Sequence, residues 1–383
     1  MLHSRSWFSR LGVSSSLPVV FSALFACGEA APVASPPVTA VAAPPKEATP
    51  RAETAVPIAA SADETTDRDL RAAIDRNDFE AARRLCAEAK TQHPEKRSLY
   101  ATCKGAEELA NKERSAVLDR MPPQVLPAPP FGYTLRRSVP VGNSQPPALR
   151  KLEEKKNQIT DDVAWLQRNH LALPVWEVPN PFRQIAGNVP KDLPETYSAQ
   201  NRLVEAIDGG DYAVLVYGTD FASGRFLAVV DRAHKPIAFF DFAAYLTPPK
   251  AVAKDASFVQ GQVEWAVVKD QVLYVSTGHR TYAASSYGKN AYVTAIDVTT
   301  GELLWQSDSL VSNARNFLVL GDYIVSGYGF TAEPDFLFVL SRGTGKTVKK
   351  VPVKSGPEVI LEREGKLYVR TYDTDYVFAI DGK

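Results

Sequence analysis

The sequence has few of the residues from which a disulfide framework, a metal site or a nucleophilic active site is built. Only three cysteines occur among 383 residues, Cys27, Cys86 and Cys103, and the second half of the chain has none. This excludes a disulfide-dense scaffold and a four-cysteine zinc site. The five histidines are dispersed, and none lies at metal-ligand spacing from another ligand type. We therefore expect no metal site.

Motifs of the common hydrolases and redox proteins are also missing. The sequence contains no Gly-x-Ser-x-Gly, no paired-cysteine motif and no His-Glu-x-x-His. Gly343, Gly345, Lys346 and Thr347 look like the end of a phosphate-binding loop, but Leu340 stands where its first glycine must be. We therefore assign no catalytic residue and no cofactor, and we expect no nucleotide ligand.

Net charge is absent as well. Lys+Arg and Asp+Glu number 44 each, so the formal net charge is zero. This balance favours neither nucleic acid nor an anionic membrane surface as a partner. The hydrophobic content of 45% is enough for at least one ordinary core.

The first 26 residues have the form of a signal peptide, with basic residues followed by an apolar stretch too short and interrupted to span a membrane. Residues 24–27, Leu-Phe-Ala-Cys, resemble the lipobox of bacterial lipoproteins. The resemblance implies a lipid anchor on Cys27, and Gly28 in place of an aspartate implies sorting to the outer membrane, on its periplasmic or outer face. The alternative is an ordinary secretory signal in which Cys27 is a chance residue.

Two segments follow the lipobox. Residues 27–65 are rich in Ala, Pro, Val and Thr without hydrophobic periodicity, which predicts a disordered tether. Residues 66–121 carry apolar stripes at helical spacing, which predicts a small helical module. Within it, residues 73–85 with His93 and Pro94 resemble one tetratricopeptide unit. Because fewer than three such units rarely stand alone, we expect this hairpin to pack on something else or to be marginally stable.

The spacing of two cysteines predicts a crosslink in this module. Cys86 lies eight residues before Pro94, and Cys103 lies nine residues after it. Positions equidistant from the turn of an antiparallel helix pair are neighbours, and an exported protein reaches an oxidising compartment. We therefore predict a disulfide between them; the alternative is two buried free cysteines.

Residues 122–196 are proline-rich and are interpreted as a linker that contains one short extended piece at 133–141. After Pro147, apolar residues recur at spacings that fit one helix face, namely Leu149, Leu152, Ile159, Val163 and Leu166. This pattern predicts one helix over about 147–169.

From about residue 197 to the end, a two-part pattern recurs four times, the later copies about 40 to 50 residues apart. A turn with a β-rich run forms the first part, and a hydrophobic strand ending in a turn forms the second. The first parts are residues 211–217, 269–276, 321–326 and 365–369; the second parts are residues 227–231, 293–297, 337–341 and 377–381.

The second copy carries a specific signature over residues 295–305. Its residues Ala295, Asp297, Thr300, Gly301 and Trp305 resemble, at the same spacing, the repeats of pyrroloquinoline-quinone-type propellers. Asp297 can accept hydrogen bonds from a tight turn, Gly301 supplies a positive φ, and the Trp305 ring is expected between neighbouring blades. The other three copies match only in part.

The resemblance implies a mainly β C-terminal domain, residues 197–383, with four quinoprotein-like repeats in a small or incomplete β-propeller, plus the N-terminal α-helical hairpin. The sequence ends in the turn after the fourth copy, which leaves a strand edge that proteins usually cover. Residues 133–141 are the best candidate to pair there. Whether the repeats close as a ring, stay open or complete themselves by dimerisation is left open.

Loop residues offer few candidate contacts. The aromatic residues Tyr282, Tyr287, Tyr292, Tyr328 and Phe330 favour packing or loop ordering over a ligand platform. Asp373 and Asp375 are interpreted as turn residues before a strand.

Two classes of function remain. The first is a non-catalytic binding or scaffold module with a protein partner in the envelope, as in the propeller subunit of the outer-membrane barrel-assembly machinery, which the repeats also resemble. The second is a quinone-dependent dehydrogenase, but such enzymes use about eight blades and a calcium site. A surface carbohydrate or peptide binder is a further alternative. We expect the first and no enzyme, a choice that rests on analogy.

Overall fold

The computed structural model of the chain describes residues 62–382 apart from 77, 93–96, 158–161, 181–184, 186, 199 and 221. The signal segment, Cys27 and most of the tether lie outside the described residues, as do His93 and Pro94. The chain divides into two units between residues 65 and 66, and every described strand belongs to the second unit. Among the described helices, none combines the length and the apolar character needed to cross a membrane.

Helices occupy the beginning of the described chain. They are α1 Ala62–Asp75, α2 Phe79–Gln92 and α3 Arg97–Asp119. Helices α2 and α3 lie side by side, and a disulfide bond joins Cys86 to Cys103 with their Cα atoms 5.6 Å apart. The core around this bond is thin, because three of its six buried members are alanines. At the end of α3, Leu118 packs instead into the core of the first β-sheet.

The remainder is mainly β, which confirms the predicted class. The upstream elements are β1 Gln124–Val125, β2 Thr134–Leu135, β3 Ala148–Lys156, α4 Asp162–Arg168, β4 Val175–Trp176 and β5 Thr196–Tyr197. The first group of later elements is β6 Asn201–Asp208, β7 Tyr212–Gly218, β8 Phe226–Asp231, β9 Pro236–Asp241 and α5 Ala243–Leu246. The second group is β10 Gln262–Lys269, β11 Val272–Gly278, β12 Tyr292–Asp297 and β13 Leu303–Gln306. The last strands are β14 Leu318–Leu320, β15 Tyr323–Tyr328, β16 Phe336–Ser341, β17 Thr347–Pro352, β18 Pro357–Arg363, β19 Lys366–Thr371 and β20 Thr374–Asp381.

These strands form four sheets in chain order. Sheet 1 has the order β1-β9-β8-β7-β6-β4, with β5 also on β6; sheet 2 has the order β10-β11-β12-β13-β2. Sheet 3 is β14-β15-β16-β17, and sheet 4 is β18-β19-β20-β3. The pairing is antiparallel except between β1 and β9. Consecutive strands are therefore neighbours within each sheet, and the upstream segment adds strands to sheets 1, 2 and 4.

The helix predicted over about 147–169 is wrong for most of its length. Residues 148–156 form strand β3, which pairs along β20 with Leu149 opposite Ile380. Of the described residues in this range, Asp162–Arg168 alone are helical. The charged stretch from Arg150 to Lys156 suits an exposed edge strand, and the open edge of β20 supplies the backbone partners that decide its conformation.

The predicted partner of the last strand is also wrong. Within residues 133–141, the strand β2 pairs with β13 of sheet 2, placing Leu135 opposite Trp305. Val139 donates a backbone hydrogen bond to Gly343 of sheet 3. An upstream segment does cover the edge of sheet 4, but that segment is β3. Residues 122–196 are thus not a linker, because they complete three sheets.

Two large cores join the sheets. One contains buried residues of sheets 1, 2 and 3, and the other joins sheets 3 and 4 and includes Leu149 of β3. The second face of sheet 4 is covered by α4, whose Trp165 packs on Val359 and Leu361. Leu173, after α4, contacts both this cluster and the first core. The segment from α4 to β4 therefore links sheet 4 to sheet 1.

The crosslinked helix pair yields a testable expectation about stability. Cys86→Ser and Cys103→Ser variants are expected to lose about 3 kcal/mol in the unfolding of the helical module, because a bond closing a loop of 17 residues restrains the unfolded chain. The bond itself is checked by mass spectrometry of peptides from non-reduced protein, and the loss by thermal unfolding. Free thiols at both positions in exported protein would contradict the pairing.

Candidate functional site

The signature residues of the second copy lie in the turn between β12 and β13. Oδ1 of Asp297 accepts hydrogen bonds from the backbone N–H groups of Thr299 and Thr300, each at 3.0 Å. Gly301 adopts φ +70° and donates its N–H to the Asp297 carbonyl at 2.8 Å. Burial opposes ionisation of Asp297, but these bonds, with nearby Arg137, outweigh it and lower the pKa of Asp297. Asp297 therefore accepts the hydrogen bonds that the backbone N–H groups of this turn donate.

Ala295 and Trp305 face each other across β12 and β13, and both are fully buried. The Trp305 indole N–H donates to the carbonyl of Arg342 in sheet 3 at 3.0 Å. A side chain at Gly345 would overlap the Trp305 ring, and Gly345 has φ +72°. Gly345, which the sequence presents as part of a false phosphate loop, is thus the glycine that lets the indole pack between sheets 2 and 3.

The two ends of the sheets differ in the length of their connections. At one end, which we call the turn end, short turns such as 270–271, 321–322 and 364–365 join successive strands. At the other, which we call the loop end, the longest connections are 242–261, 279–291 and 307–317. Loops on a rigid scaffold are the usual place for binding residues.

Four charged side chains meet near the loop end, two from the first strands of sheets 1 and 2 and two from the loops 279–291 and 307–317. We call Glu205, Glu264, Arg280 and Arg315 the inner-strand cluster. Arg280 binds Glu264 through two nitrogens, at 2.8 and 3.3 Å, and Arg315 lies 4.0 Å from Glu205. Their charges come from sheets 1, 2 and 3, which no single sequence motif could reveal.

Bulges in the first strands of the sheets help to place the acidic side chains. The pairing of β10 with β11 skips Glu264, and that of β18 with β19 skips Glu358. The pairing of β6 with β7 skips Val204, next to Glu205. A bulge turns a side chain out of the regular alternation of a strand. Comparing the first strands of the copies could have found the matching positions of Glu264 and Glu358.

Glu205 has an unusual environment in this cluster. Burial raises the pKa of Glu205; Arg315 and Arg280 oppose this, whereas Glu264 adds to it. The Glu205 side chain is nevertheless 31% exposed. Protein atoms thus surround much of the Glu205 side chain, but part of it still reaches solvent.

Exposed aromatic side chains surround the same end. Five described aromatic residues are exposed by between 40% and 67%, namely Tyr133, Phe258, Tyr282, Tyr287 and Tyr372. All five lie at the loop end, because each precedes, follows or lies between strands on that side. We call them the loop-end aromatics. Of the residues expected from sequence, Tyr292 and Tyr328 are buried instead.

Contacts between loops connect part of this surface. The rings of Tyr282 and Phe330 meet edge to face with centroids 5.0 Å apart, and the Ala283 N–H donates to Glu333 at 2.8 Å. Lys250 places its ammonium 5.0 Å from the centre of the Tyr287 ring. These contacts hold together the loops 242–261, 279–291 and 329–335, which carry three of the five loop-end aromatics, Phe258, Tyr282 and Tyr287.

Acidic groups lie beside the aromatic residues. Burial, together with the charges of Asp373 and Glu333, raises the pKa of Asp335 to about 6. Asp373, in the turn before β20, accepts a hydrogen bond from Ser355, whereas Asp375 lies within β20 and pairs with Arg370. The described residues contain no group of three or more His, Cys, Asp or Glu side chains placed to hold a metal ion.

One buried pair resembles part of a nucleophilic site but cannot meet a substrate as it stands. Nε2 of His279 lies 2.7 Å from Oγ of Ser286. Ser286 is fully buried and His279 is 5% exposed. Burial lowers the pKa of His279 to about 4, so the imidazole is neutral at pH 7. The pair holds the loop 279–291 in shape.

No protein-family model and no curated protein matches the chain. Among solved structures, the computationally designed Ika4 protein is similar over 48% of this chain and 95% of its own, with 12% identity and a TM-score of 0.31. BamB from Moraxella catarrhalis is similar over 49% of this chain and 72% of its own, with 11% identity and a TM-score of 0.23. A europium-containing methanol dehydrogenase is similar over 43% and 29%, with 13% identity and a TM-score of 0.27. These scores are too low to carry an argument about function.

The position of Trp305 leads to a prediction about folding. Trp305→Ala is expected to lower the free energy of unfolding by about 3–5 kcal/mol, because it empties a buried site and leaves the Arg342 carbonyl unpaired. Trp305→Phe should cost less, and Val348→Ala, at an exposed position, should change it by less than about 0.5 kcal/mol. Urea unfolding measures all three. An alanine variant as stable as the parent would show that the indole does not join sheets 2 and 3.

The raised pKa of Glu205 predicts a pH dependence with a definite sign. A carboxyl group that binds its proton more tightly in the folded chain destabilises the fold as pH rises above about 4.3, the value in unfolded chains. Glu205→Gln, which cannot ionise, should therefore match the parent near pH 4 and exceed it at pH 7, by at most about 1 kcal/mol. Urea midpoints at pH 4, 5 and 7 test this, with Glu302→Gln at the turn end as the control. A Gln variant less stable at pH 7 would reverse the assignment.

Proposed function

We propose that the chain is an exported lipoprotein, held at the outer membrane through Cys27, whose four sheets act as a small quinoprotein-like propeller. Support comes from the lipobox at residues 24–27, the signature at residues 295–305 and the succession of four antiparallel sheets. In this proposal the four repeats correspond to the four sheets, and the tetratricopeptide-like helix pair packs beside sheet 1 through Leu118.

The proposed activity is non-catalytic binding of a protein partner at the loop end. One observation carries it: all five of the well-exposed aromatic side chains among the described residues lie at that end. Tyrosine and other large aromatic residues are enriched in protein interfaces and dominate their energetics. Exposed side chains of this size cost solubility, so their concentration on one rigid surface indicates a contact surface.

The acidic residues beside the aromatic surface limit the chemical character of a partner that fits. Glu333, Asp335 and Asp373 lie beside the aromatic surface and give it an acidic side. A partner that presents basic and apolar side chains fits this combination. Because the pKa of Asp335 is about 6, the acidic side loses one charge below that pH, and binding should weaken there.

Site-specific photocrosslinking in intact cells tests the proposed surface. A photoreactive residue at Phe258 or Tyr287 should form an adduct with one defined protein, whereas the same residue at Glu302 or Lys366 of the turn end should not. Combining Tyr282→Ala with Tyr287→Ala should lower the yield at Phe258 at least about tenfold, since hot-spot residues contribute about 2 kcal/mol or more. Val348→Ala serves as the matched control.

Other outcomes would favour the remaining functions. Equal adducts at both ends, or none at the loop end, would contradict the proposed surface. Stoichiometric uptake of pyrroloquinoline quinone with calcium, followed by absorbance, would favour the dehydrogenase instead. Adducts lost on addition of free saccharide or peptide would favour a surface binder of those ligands.

A further inference from the structure

Sheet 3 differs from the other three sheets at one edge. We call the last strand of each sheet in chain order its outer strand. In sheets 1, 2 and 4, a strand of the upstream segment pairs with the outer strand: β1 with β9, β2 with β13 and β3 with β20. The outer strand of sheet 3 is β17, and among the described strands it pairs with β16 alone. The outer edge of sheet 3 is therefore open.

The upstream chain passes sheet 3 without adding a strand to it. After β2, the Val139 N–H donates to the Gly343 carbonyl at 2.9 Å, in the turn before β17. Asp322, in the turn before β15, then accepts hydrogen bonds from the N–H groups of Gly142 and Ser144 at 2.8 and 3.0 Å. The chain next enters β3 of sheet 4. These contacts hold the passing segment at the turn end of sheet 3, so β17 keeps its free edge.

Alternate backbone groups of β17 point away from β16. The Val353 N–H donates to the Asp335 carbonyl at 3.1 Å, so these two residues form a hydrogen-bonded pair. Along an antiparallel ladder, such pairs alternate with pairs whose N–H and C=O groups point outward. Lys350 and Pro352 occupy pairs of the second kind. The edge therefore offers the N–H and C=O of Lys350 and the C=O of Pro352, and none of them has a hydrogen-bond partner among the described residues.

The side chains along this edge are basic. Lys346, Lys349 and Lys350 lie close together in the chain, and none of them forms an ion pair with another described residue. The Lys350 ammonium lies 5.3 Å from the centre of the Phe338 ring, on one face of sheet 3. Lys349 precedes it in the strand and therefore lies on the other face. Positive charge is thus present on both faces of β17, and it favours acidic side chains on a neighbouring strand.

The lysines also disfavour a second copy of the chain at this edge. A twofold antiparallel pairing that uses most of β17 centres on Lys349 or on Lys350, the two middle residues of the strand. Either centre sets a lysine opposite the same lysine of the other copy, and like charges in that position are destabilising. Lysines on an edge strand thus oppose self-association, but they leave pairing with an acidic strand possible.

We propose that β17 binds an extended acidic segment of a partner protein, which adds a fifth strand to sheet 3. The backbone of the segment pairs with the outward groups of Lys350 and Pro352, and its acidic side chains lie opposite the lysines. Strand addition of this kind derives affinity from main-chain hydrogen bonds and specificity from alternate side chains. The site is separate from the loop-end aromatics, and the proposal does not rest on them.

Fluorescence anisotropy of the full chain with three labelled peptides tests the proposal. The first peptide is Thr-Glu-Val-Glu-Val-Glu-Thr with blocked ends, the second has lysine in place of each glutamate, and the third is the acidic peptide with methylated backbone nitrogens. The first should bind one site per chain, at least about tenfold more tightly than the other two. The lysine peptide is repelled by the edge, and the methylated peptide keeps its charge but cannot donate main-chain hydrogen bonds.

Hydrogen exchange followed by mass spectrometry locates the contact. The bound acidic peptide should protect backbone amides of β17, that of Lys350 among them, and leave the turn at Glu302 unchanged. Lys350→Gln removes the charge alone and should weaken binding up to about fivefold. Lys350→Pro also removes the outward N–H and should weaken binding at least about tenfold. Lys366→Gln, at an exposed lysine of β19, is the matched control and should leave the affinity unchanged.

Several results would overturn the proposal. Equal binding of the lysine peptide would show that charge plays no part, and equal binding of the methylated peptide would show that no strand is added. Absence of binding by the acidic peptide, or protection outside β17, would overturn it as well. Self-association of the chain in sedimentation that Lys350→Pro abolishes would identify a second copy as the occupant instead. The Lys350 N–H points away from β16, so an unfolding midpoint equal to the parent's is expected for the proline variant; if that variant unfolds, Lys350→Gln and the methylated peptide still decide.

Discussion

The pairing of β3 with β20 is the contact on which much of the molecule depends. Without it, the last strand of sheet 4 would present an open edge along its whole length. The pairing also brings the upstream chain to sheet 4, so that α4 follows directly and covers the face formed by Val359 and Leu361. Arg370 can be buried only because α4 supplies Asp162. One pairing between distant segments thus covers the last strand of sheet 4 and places α4 beside it.

The two ends of the sheets carry different kinds of residues. The turn end contains the tight turns. In one of them, Asp297 and Gly301 form the hydrogen bonds that the turn backbone needs. The packing of Trp305 against the turn at Gly345 joins sheets 2 and 3 and leaves no room for variation there. The loop end carries the inner-strand cluster and the loop-end aromatics, which no turn geometry requires. The turns do not need the exposed faces of these aromatic residues, and for that reason we propose the contact surface there.

The sequence predicts best what depends on neighbouring residues. Strands such as β11 and β12 alternate or run as buried apolar segments, and their turns carry Gly or Asp at positions that need a special backbone. The spacing of Cys86 and Cys103 follows from helix geometry around one turn. By contrast, Leu149 and Leu152 lie three apart, which fits a helix, yet only Leu149 is buried in the strand that forms. Local pattern misleads there because the decisive partner, β20, lies at the far end of the chain.

The candidate sites also depend on contacts that the local sequence pattern does not predict. Tyr282 and Tyr287 stand out in sequence as aromatic residues in a loop, but nothing local connects them with Phe258, Tyr133 or Tyr372. Glu205 and Arg315 come from different copies of the repeat, so no local pattern joins them. The sequence by itself determined the turns, the strand alternation and the repeat signature, since these rest on backbone and side-chain preferences within a few residues. Only the tertiary structure decided which edges pair, which charges meet and which aromatic residues share a surface, because those depend on contacts between segments far apart in the chain.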